Sequence, residues 1–304
     1  MSVPRKTMLI LLAFFAIYVI WGSTYLLNKI VVTEVAPLYL ASIRFTTASI
    51  LIFSIAKAMK LQLAISKRQF LNNVFAGFLF LVYGNGVFVW ALKYVDSGFG
   101  ALEASIQPLM VLVMMRMVDG KKIQRKSIIG ITLGIIGMYL LVSQDQIVFQ
   151  EHSLIGIIMI FTCVISWSWG SLFVARAELA PNYFVNTAYQ MLSSGILLSL
   201  ISLSLGEVWL SPVHWSPSAQ VSMALLIIFG SVIAFTAFNY LLKEVSTEKV
   251  STSAYVNPVI ALILGWYVLD EHITGQSIVA AIILLTGVYF INSKRIIRPR
   301  LYGR

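Results

Sequence analysis

The sequence predicts an all-α integral membrane protein whose ten transmembrane helices form two inverted-topology repeats of five. Composition is the first observation behind this prediction. The 304 residues are 59% hydrophobic and only 11% charged, whereas a soluble domain carries about 25% charged residues. The second observation is that helix-length apolar stretches fill the chain, and the second half repeats the pattern of the first.

Ten apolar stretches approach the roughly 20 residues that a helix needs to cross a bilayer. We predict spans at 8–32, 38–56, 70–93, 97–117, 128–143, 153–176, 183–205, 219–242, 249–269 and 274–292. The first stretch follows Arg5 and Lys6, as a signal peptide would, but it is too long and lacks a small-residue cleavage site. We therefore expect it to be the first span.

Basic residues are concentrated in alternate loops. With a cytoplasmic N-terminus, all 22 lysines and arginines except Lys29, Arg44 and Lys93 fall on the cytoplasmic side. The positive-inside rule therefore predicts a multi-pass protein with both termini in the cytoplasm and an even number of spans. The net charge of +10 is thereby explained by membrane topology. We expect no nucleic-acid partner.

Two dipeptides, Gln107-Pro108 and Asn257-Pro258, lie 150 residues apart near the centres of apolar stretches. A proline inside a helix donates no hydrogen bond and disturbs the carbonyl four residues earlier. Those carbonyls belong to Ala104 and Ala254. In lipid such oxygens must be satisfied by neighbours or by a wet cavity. The prolines are therefore predicted hinges, cavity linings, or both.

Further matches indicate a duplication. Trp21-Gly22-Ser23 recurs as Trp169-Gly170-Ser171, and we divide the chain into repeats at 1–146 and 147–304. Each repeat holds five predicted spans, an odd number, so the second enters the membrane with opposite polarity. Inverted repeats with interrupted helices are typical of secondary transporters.

On these motifs the chain resembles the EamA family of the drug/metabolite transporter superfamily. The shared features are the Trp-Gly-Ser of span one, Pro37 followed by Arg44-Phe45 in span two, and Pro108 before a glycine-rich span five. The resemblance covers essentially the whole chain. It implies transport of a small organic metabolite, such as an amino acid, outward across a bacterial inner membrane.

Two opposite charges lie at matching depth in spans two and four. Arg44 and Glu103 are about seven residues inside the outer face, roughly 10 Å deep at 1.5 Å per residue. We expect them to pair, with Lys29 as a further neighbour. Such a pair is either a packing device or part of a substrate or proton site, and the sequence leaves both interpretations open.

The candidate substrate-binding residues are aromatic, amide or charged side chains on the predicted spans. They are Trp21, Tyr25, Arg44, Tyr83, Asn85, Glu103, Gln107, Trp169, Tyr255 and Asn257. Amides suit a permeation path because they offer donors and acceptors without a full charge, although interhelical hydrogen bonding is an equal alternative. Trp21 and Trp169 are expected cavity walls because they recur between the halves.

Span five carries the small-residue stripe Gly130, Gly134 and Gly137, and span ten carries Ala280 and Gly287. Small residues let membrane helices approach closely. We expect these two spans to pack together as a scaffold, away from the substrate path.

We expect a secondary transporter or facilitator that alternates access by rocking its halves around a central cavity lined by spans one, three, four, six, eight and nine. One alternative is a proton-coupled exporter of cationic drugs that uses Glu103. Another is an intramembrane enzyme or receptor, but no nucleotide motif or metal cluster supports catalysis. We expect no enzyme activity, no cofactor and no metal. The expected partners are a solute and lipid, and ten spans can enclose a path in a monomer.

Overall fold

The computed structural model describes residues 5–95, 100–101, 104–120, 124–143, 153–269 and 274–292. Within these ranges all regular structure is helical. The long helices are α1 (Arg5–Val32), α2 (Pro37–Ala58), α3 (Lys67–Ala91), α4 (Gln107–Asp119), α5 (Arg125–Val142), α6 (Ser153–Arg176), α7 (Tyr183–Ser204), α8 (Pro217–Glu244), α9 (Ser253–Leu269) and α10 (Gly275–Asn292). A short helix, Thr247–Ser251, precedes α9.

Six helices of the described chain are long and apolar enough to cross a membrane, namely α1, α2, α3, α6, α7 and α8. Large apolar side chains on their outer faces, such as Leu11, Ile158 and Leu200, are more than half exposed, at 59%, 56% and 59%. Such faces suit lipid contact, so the fold is that of an integral membrane protein. Helices also occupy the other four predicted spans, and the count of ten crossings stays a prediction.

Three of the spanning helices contain π-helical segments. These are Ala16–Ile20 in α1, Phe78–Val87 in α3 and Leu226–Phe235 in α8. A π-turn admits an extra residue and is frequent at functional sites. In α3 the segment includes Gly84, where a Cβ atom would lie 3.0 Å from the Trp167 ring. The glycine thus admits a close neighbour in this wide turn.

The main helix contacts keep their pattern when helices of the two predicted repeats are exchanged. α2 packs along α7, and α5 along α10. α1 contacts α8 and α9, while α6 contacts α3 and α4. Two further crossings between the halves join α2 to α8 and α7 to α3. The central helices α1, α3, α6 and α8 are therefore surrounded by partners from the opposite half.

The glycine stripe of α5 packs against α10, which confirms the predicted scaffold. A Cβ on Gly130 would lie 2.7 Å from the Gly287 carbonyl oxygen, and a Cβ on Gly137 would lie 3.0 Å from the Ala280 oxygen. Gly134 accommodates Tyr255 instead, since a Cβ there would lie 2.6 Å from the phenol oxygen.

The two prolines occupy different helical positions. Pro258 lies inside α9, as predicted. Pro108 lies in the first turn of α4, which begins at Gln107 after a turn at 105–106. A proline in a first turn displaces no helical hydrogen bond, because that N–H has no intrahelical acceptor. The expectation that both prolines interrupt helix interiors is therefore wrong for Pro108.

Candidate functional site

A central cavity lies between the two halves of the chain. The empty space in and around this cavity is about 860 Å³, a volume that includes the solvent at its open side. Its polar lining residues are Thr24, Asn28, Arg44, Asn85, Gln107, Ser231, Ser253 and Asn257. Its aromatic lining residues are Trp21, Tyr25, Phe45, Phe88, Trp167 and Phe235. The six predicted spans all contribute, and α2 and α7 add walls that were not predicted.

One face of α1 forms a wall of this cavity. Trp21, Thr24, Tyr25 and Asn28 line it at the i, i+3, i+4 and i+7 spacing of a helical stripe. The indole Nε1 of Trp21 donates to the Gly230 carbonyl oxygen at 3.2 Å. That carbonyl belongs to the π-helical segment of α8, so Trp21 both walls the cavity and fixes α1 against α8.

Arg44 reaches the cavity from α2 and is only 4% exposed. Its Nε donates to Ser231 Oγ at 2.8 Å, and its Nη1 donates to Asn28 Oδ1 at 3.4 Å. Within the part of the chain that the structure describes, no carboxylate lies within ion-pair distance of this guanidinium. Glu103, its predicted partner, lies outside the described residues.

Lys29 does not join Arg44 in the cavity. Its Nζ donates to the carbonyl oxygens of Leu92 at 2.9 Å and Val95 at 3.4 Å. These carbonyls follow the end of α3, where backbone acceptors have no helical donor. Lys29 therefore caps the end of α3 and does not line the cavity with Arg44; its position relative to Glu103 lies outside the described residues.

The predicted amides Asn85, Gln107 and Asn257 all line the cavity. Asn85 Oδ1 is buried and has no hydrogen-bond partner among the described residues. The side chain of Asn257 faces the carbonyl oxygens of Tyr18 at 3.0 Å and Ile17 at 3.1 Å, which belong to the π-helical segment of α1. Because those neighbours only accept, the amide nitrogen faces them. Asn257 thus also makes the interhelical bonds that were its alternative interpretation.

The carbonyls expected to be freed by the prolines lie beside the same space. Ala104 and Ala254, the residues four positions before Pro108 and Pro258, both line the cavity. Only the Pro258 position is inside a continuous helix. The hinge assignments stay predictions.

Three predicted residues lie away from the cavity. The Tyr83 hydroxyl pairs with Thr162 Oγ1 at 3.2 Å between α3 and α6. Tyr255 is 1% exposed and lies against Gly134 of α5, in a buried apolar cluster with Ile131 and Leu284. Trp169 is 45% exposed on the outer surface of α6. None of these three rings lines the cavity, so the expectation that they would is wrong.

The tryptophan of α6 that does reach the cavity is Trp167. Residues two apart on a helix point in directions about 200° apart, so only one of Trp167 and Trp169 can face inward. The Trp167 ring meets Trp21 edge-on at 5.7 Å and Phe80 at 5.1 Å. With Phe235 and Phe238 these rings form an aromatic cluster, in which Trp21, Trp167 and Phe235 line the cavity.

Sequence reasoning also missed Thr24, Asn28 and Ser231. The first two share a helical face with Trp21, and this spacing could have identified them. Ser231 carries no comparable signal, because a single serine in an apolar stretch is equally compatible with packing.

Comparison with known proteins agrees with this architecture. The model of the EamA-like transporter family matches residues 8–143 and 154–293. A chain from a solved crystal structure shares the fold with a TM-score of 0.75 at 19% identity, over 92% of this chain and 95% of that chain.

Relatives of similar length carry transporter names. YedA of Escherichia coli strain K12, named an inner membrane transporter, is 33% identical over 94% of both chains. A second Escherichia coli K12 protein, named "Probable amino-acid metabolite efflux pump", is 24% identical over 90% of this chain and 91% of its own. With two matches that span nearly the whole sequence, the chain belongs to the EamA-like transporter family.

Proposed function

We propose that this protein is a secondary transporter or facilitator that exports a small organic metabolite, an amino acid or related solute, across the inner membrane. The observation that carries the proposal is the central cavity walled by helices of both halves. Rocking of two such halves would expose the same side chains to the two sides of the membrane in turn. Pro258 inside α9 is the proposed hinge, with the turn before Pro108 as its partner.

The lining supports a small polar solute with an apolar part. Small-molecule sites combine mostly apolar walls with a few polar groups that orient the ligand, and this cavity has that composition. Among the described lining residues, Arg44 is the one charged side chain. Amides and hydroxyls surround it, while Trp21 and Trp167 supply apolar surface. The name of the efflux-pump relative points to the same solute class.

Three observations support the finer topology. The family model matches twice, at 8–143 and 154–293, which agrees with the proposed repeats at 1–146 and 147–304. The interhelical contacts keep their pattern when the repeats are exchanged. The distribution of basic residues supports cytoplasmic termini. Because one chain encloses the cavity, we also propose that a monomer suffices and that the protein is not an enzyme.

Transport by the purified protein tests the proposal. We expect proteoliposomes to show saturable counterflow of at least one member of a panel of the twenty L-amino acids, while protein-free liposomes show none. Flux in the absence of any other protein would distinguish a transporter from an intramembrane receptor or enzyme. Absence of flux for every amino acid would contradict the proposed solute class.

The cation-exporter alternative is disfavoured by the cavity charge. A cationic drug would have to approach the Arg44 guanidinium, and like charges repel strongly where water is scarce. If Glu103 nevertheless couples protons to export, Glu103→Gln should abolish flux driven by a pH gradient. Unchanged pH-driven flux in that variant would exclude Glu103 as the coupling residue.

A further inference from the structure

We infer that Arg44 is the anchor for a carboxylate of the transported solute, bound at the guanidinium edge that carries Nη2. This inference rests on the proposed function and narrows its substrate to compounds with a free carboxylate. Three features of the described residues carry it: the bonding of the guanidinium, the space beside it and a buried charge with no described carboxylate in ion-pair distance.

The guanidinium is held from two sides by neutral groups. Ser231 of α8 accepts from Nε at 2.8 Å, and Asn28 of α1 accepts from Nη1 at 3.4 Å. These bonds orient the plane of the side chain between three helices. Asn28 and Ser231 are therefore positioning residues for Arg44.

The Nη2 group of Arg44 is the donor that we propose binds a ligand. Within the described chain, Nη2 has no hydrogen-bond acceptor, although Arg44 lines the cavity. Gly230 leaves open the space beside it, because a Cβ at that position would lie 3.0 Å from Nη2. A solute oxygen can thus approach the edge of the guanidinium that the described residues leave unbonded.

Electrostatics selects the kind of group that would bind. A buried charge without a counter-ion is costly, and neutral hydrogen-bond partners compensate it only in part. Guanidinium groups bind carboxylates and phosphates through planar, charge-assisted hydrogen bonds. Since Arg44 is the single charged residue in the described lining, a singly charged carboxylate balances it better than a doubly charged phosphate. The aromatic walls are left for the rest of the solute.

Binding to the purified protein tests this inference separately from transport. The probes are the twenty L-amino acids and their amides, because the amide keeps the size and the amino group but removes the carboxylate. We expect amino acids, and not the matched amides or inorganic phosphate, to protect the detergent-solubilised protein against thermal unfolding. Equal protection by an amide, or protection by phosphate alone, would overturn the carboxylate anchor.

The decisive variant is Arg44→Gln. We expect it to weaken the apparent affinity for the amino acid by about 30-fold or more, as for loss of one member of a buried charged pair. Arg68→Gln is the matched control, because Arg68 lies on the surface in an exposed ion pair with Glu178 at 3.3 Å. If Arg44→Gln does not fold, Ser231→Ala replaces it, with an expected loss of roughly tenfold. Unchanged affinity in the variant that folds would overturn the inference.

Glu103→Gln addresses the competing possibility that Arg44 is already neutralised. A carboxylate anchor at Arg44 predicts that this variant still binds the amino acid in preference to its amide. A tenfold or larger gain in affinity for the amino acid would show that the Glu103 carboxylate normally pairs with Arg44. That result would overturn the inference. Selective binding without flux would contradict the proposed transport alone. Flux that ignores the carboxylate would contradict the anchor alone.

Discussion

Two crossings between helices of opposite halves use different chemistry. Where α2 meets α8, the buried contact is the charged bond from Arg44 Nε to Ser231 Oγ at 2.8 Å. Where α7 meets α3, it is a bond between amides, from Gln190 Nε2 to Asn73 Oδ1 at 3.0 Å. The packing pattern makes these crossings counterparts, yet only the first presents a charge to the cavity.

Carboxylates reinforce the charged crossing at its predicted outer end. Glu207, which follows α7, accepts from the backbone N–H of Tyr39 at 2.8 Å near the start of α2. Glu34, which follows α1, accepts from the backbone N–H of Ser216 at 3.0 Å, immediately before α8. Each carboxylate thus caps a helix N-terminus, where the positive end of the helix dipole favours an anion. Both helices that hold Arg44 and its partner are fixed in this way.

Amides satisfy one another at the second crossing. Asn73 Nδ2 donates to Asn186 Oδ1 at 3.2 Å, and Asn239 Nδ2 donates to Gln190 Oε1 at 3.0 Å. All four amides are at most 4% exposed. Because an amide both donates and accepts, these side chains bond to one another, although Asn239 Oδ1 has no partner among the described residues. Arginine only donates, so its spare donor needs an acceptor from elsewhere. The amide crossing therefore stabilises the fold, whereas the charged crossing is the one that we propose binds the solute.

The largest effect on stability should come from Asn73→Leu at the amide crossing. The substitution leaves Gln190 Nε2 without its acceptor in a buried site, which costs about 1–3 kcal/mol. We expect lower thermal stability in detergent and an unchanged preference for amino acids over their amides. Asn72→Leu is the control, since Asn72 bonds to the Glu178 carbonyl at an exposed position. A lost preference with intact stability would reverse the roles of the two crossings.

A smaller effect is expected at the charged crossing from Gly230→Ala. The added Cβ would lie 3.0 Å from both Arg44 Nη2 and Thr24 Cγ2, so these neighbours must shift by a few tenths of an ångström. We expect a stability loss of about 1 kcal/mol but a clearly weaker apparent affinity for the amino acid. Gly275→Ala is the control because nothing lies within 4 Å of its added Cβ. Unchanged affinity would show that the guanidinium edge is not used.

The helices and several cavity residues could be predicted because polar groups are rare in apolar helices. Arg44, Asn85, Gln107 and Asn257 were found on this ground, and all line the cavity. Which ring of α6 faces inward was not predictable from the repeat. The reason is that α1 contains a π-helical segment just before Trp21, whereas α6 is α-helical throughout. An extra residue in one turn rotates all that follows, so matching sequence positions face different directions.

The hydrogen-bond network of the amide crossing could also not be predicted from the sequence. Asn73, Asn186 and Gln190 lie on two helices that are far apart in the chain. Their individual spacing shows no motif, and only the packing of α3 on α7 brings them together. Of the two residues at the charged crossing, only Arg44 could be predicted from the sequence. A charge is rare in an apolar span, whereas a serine is not.

The smallest effect should come from Glu34→Gln, which tests whether the capping carboxylates matter to the charged crossing. Hydrogen bonds from the Ser216 hydroxyl and then from its backbone N–H hold the pKa of Glu34 below its usual value. A carboxyl with a lowered folded-state pKa stabilises the protein above its unfolded-state pKa of about 4.3. That contribution is lost as the pH falls through the folded-state pKa.

We therefore expect Glu34→Gln to lower the melting temperature slightly at pH 7 and to have no effect well below pH 4, where wild-type Glu34 is also neutral. Thermal unfolding in detergent from pH 3 to pH 7 measures the difference. Ser216→Ala should reduce the same pH dependence, and the double variant should be less destabilised than the sum of the single changes. If the losses of stability in the two single variants simply add in the double variant, Glu34 and Ser216 do not interact. A pH-independent difference would show that the Glu34 side chain acts through packing and not through its charge.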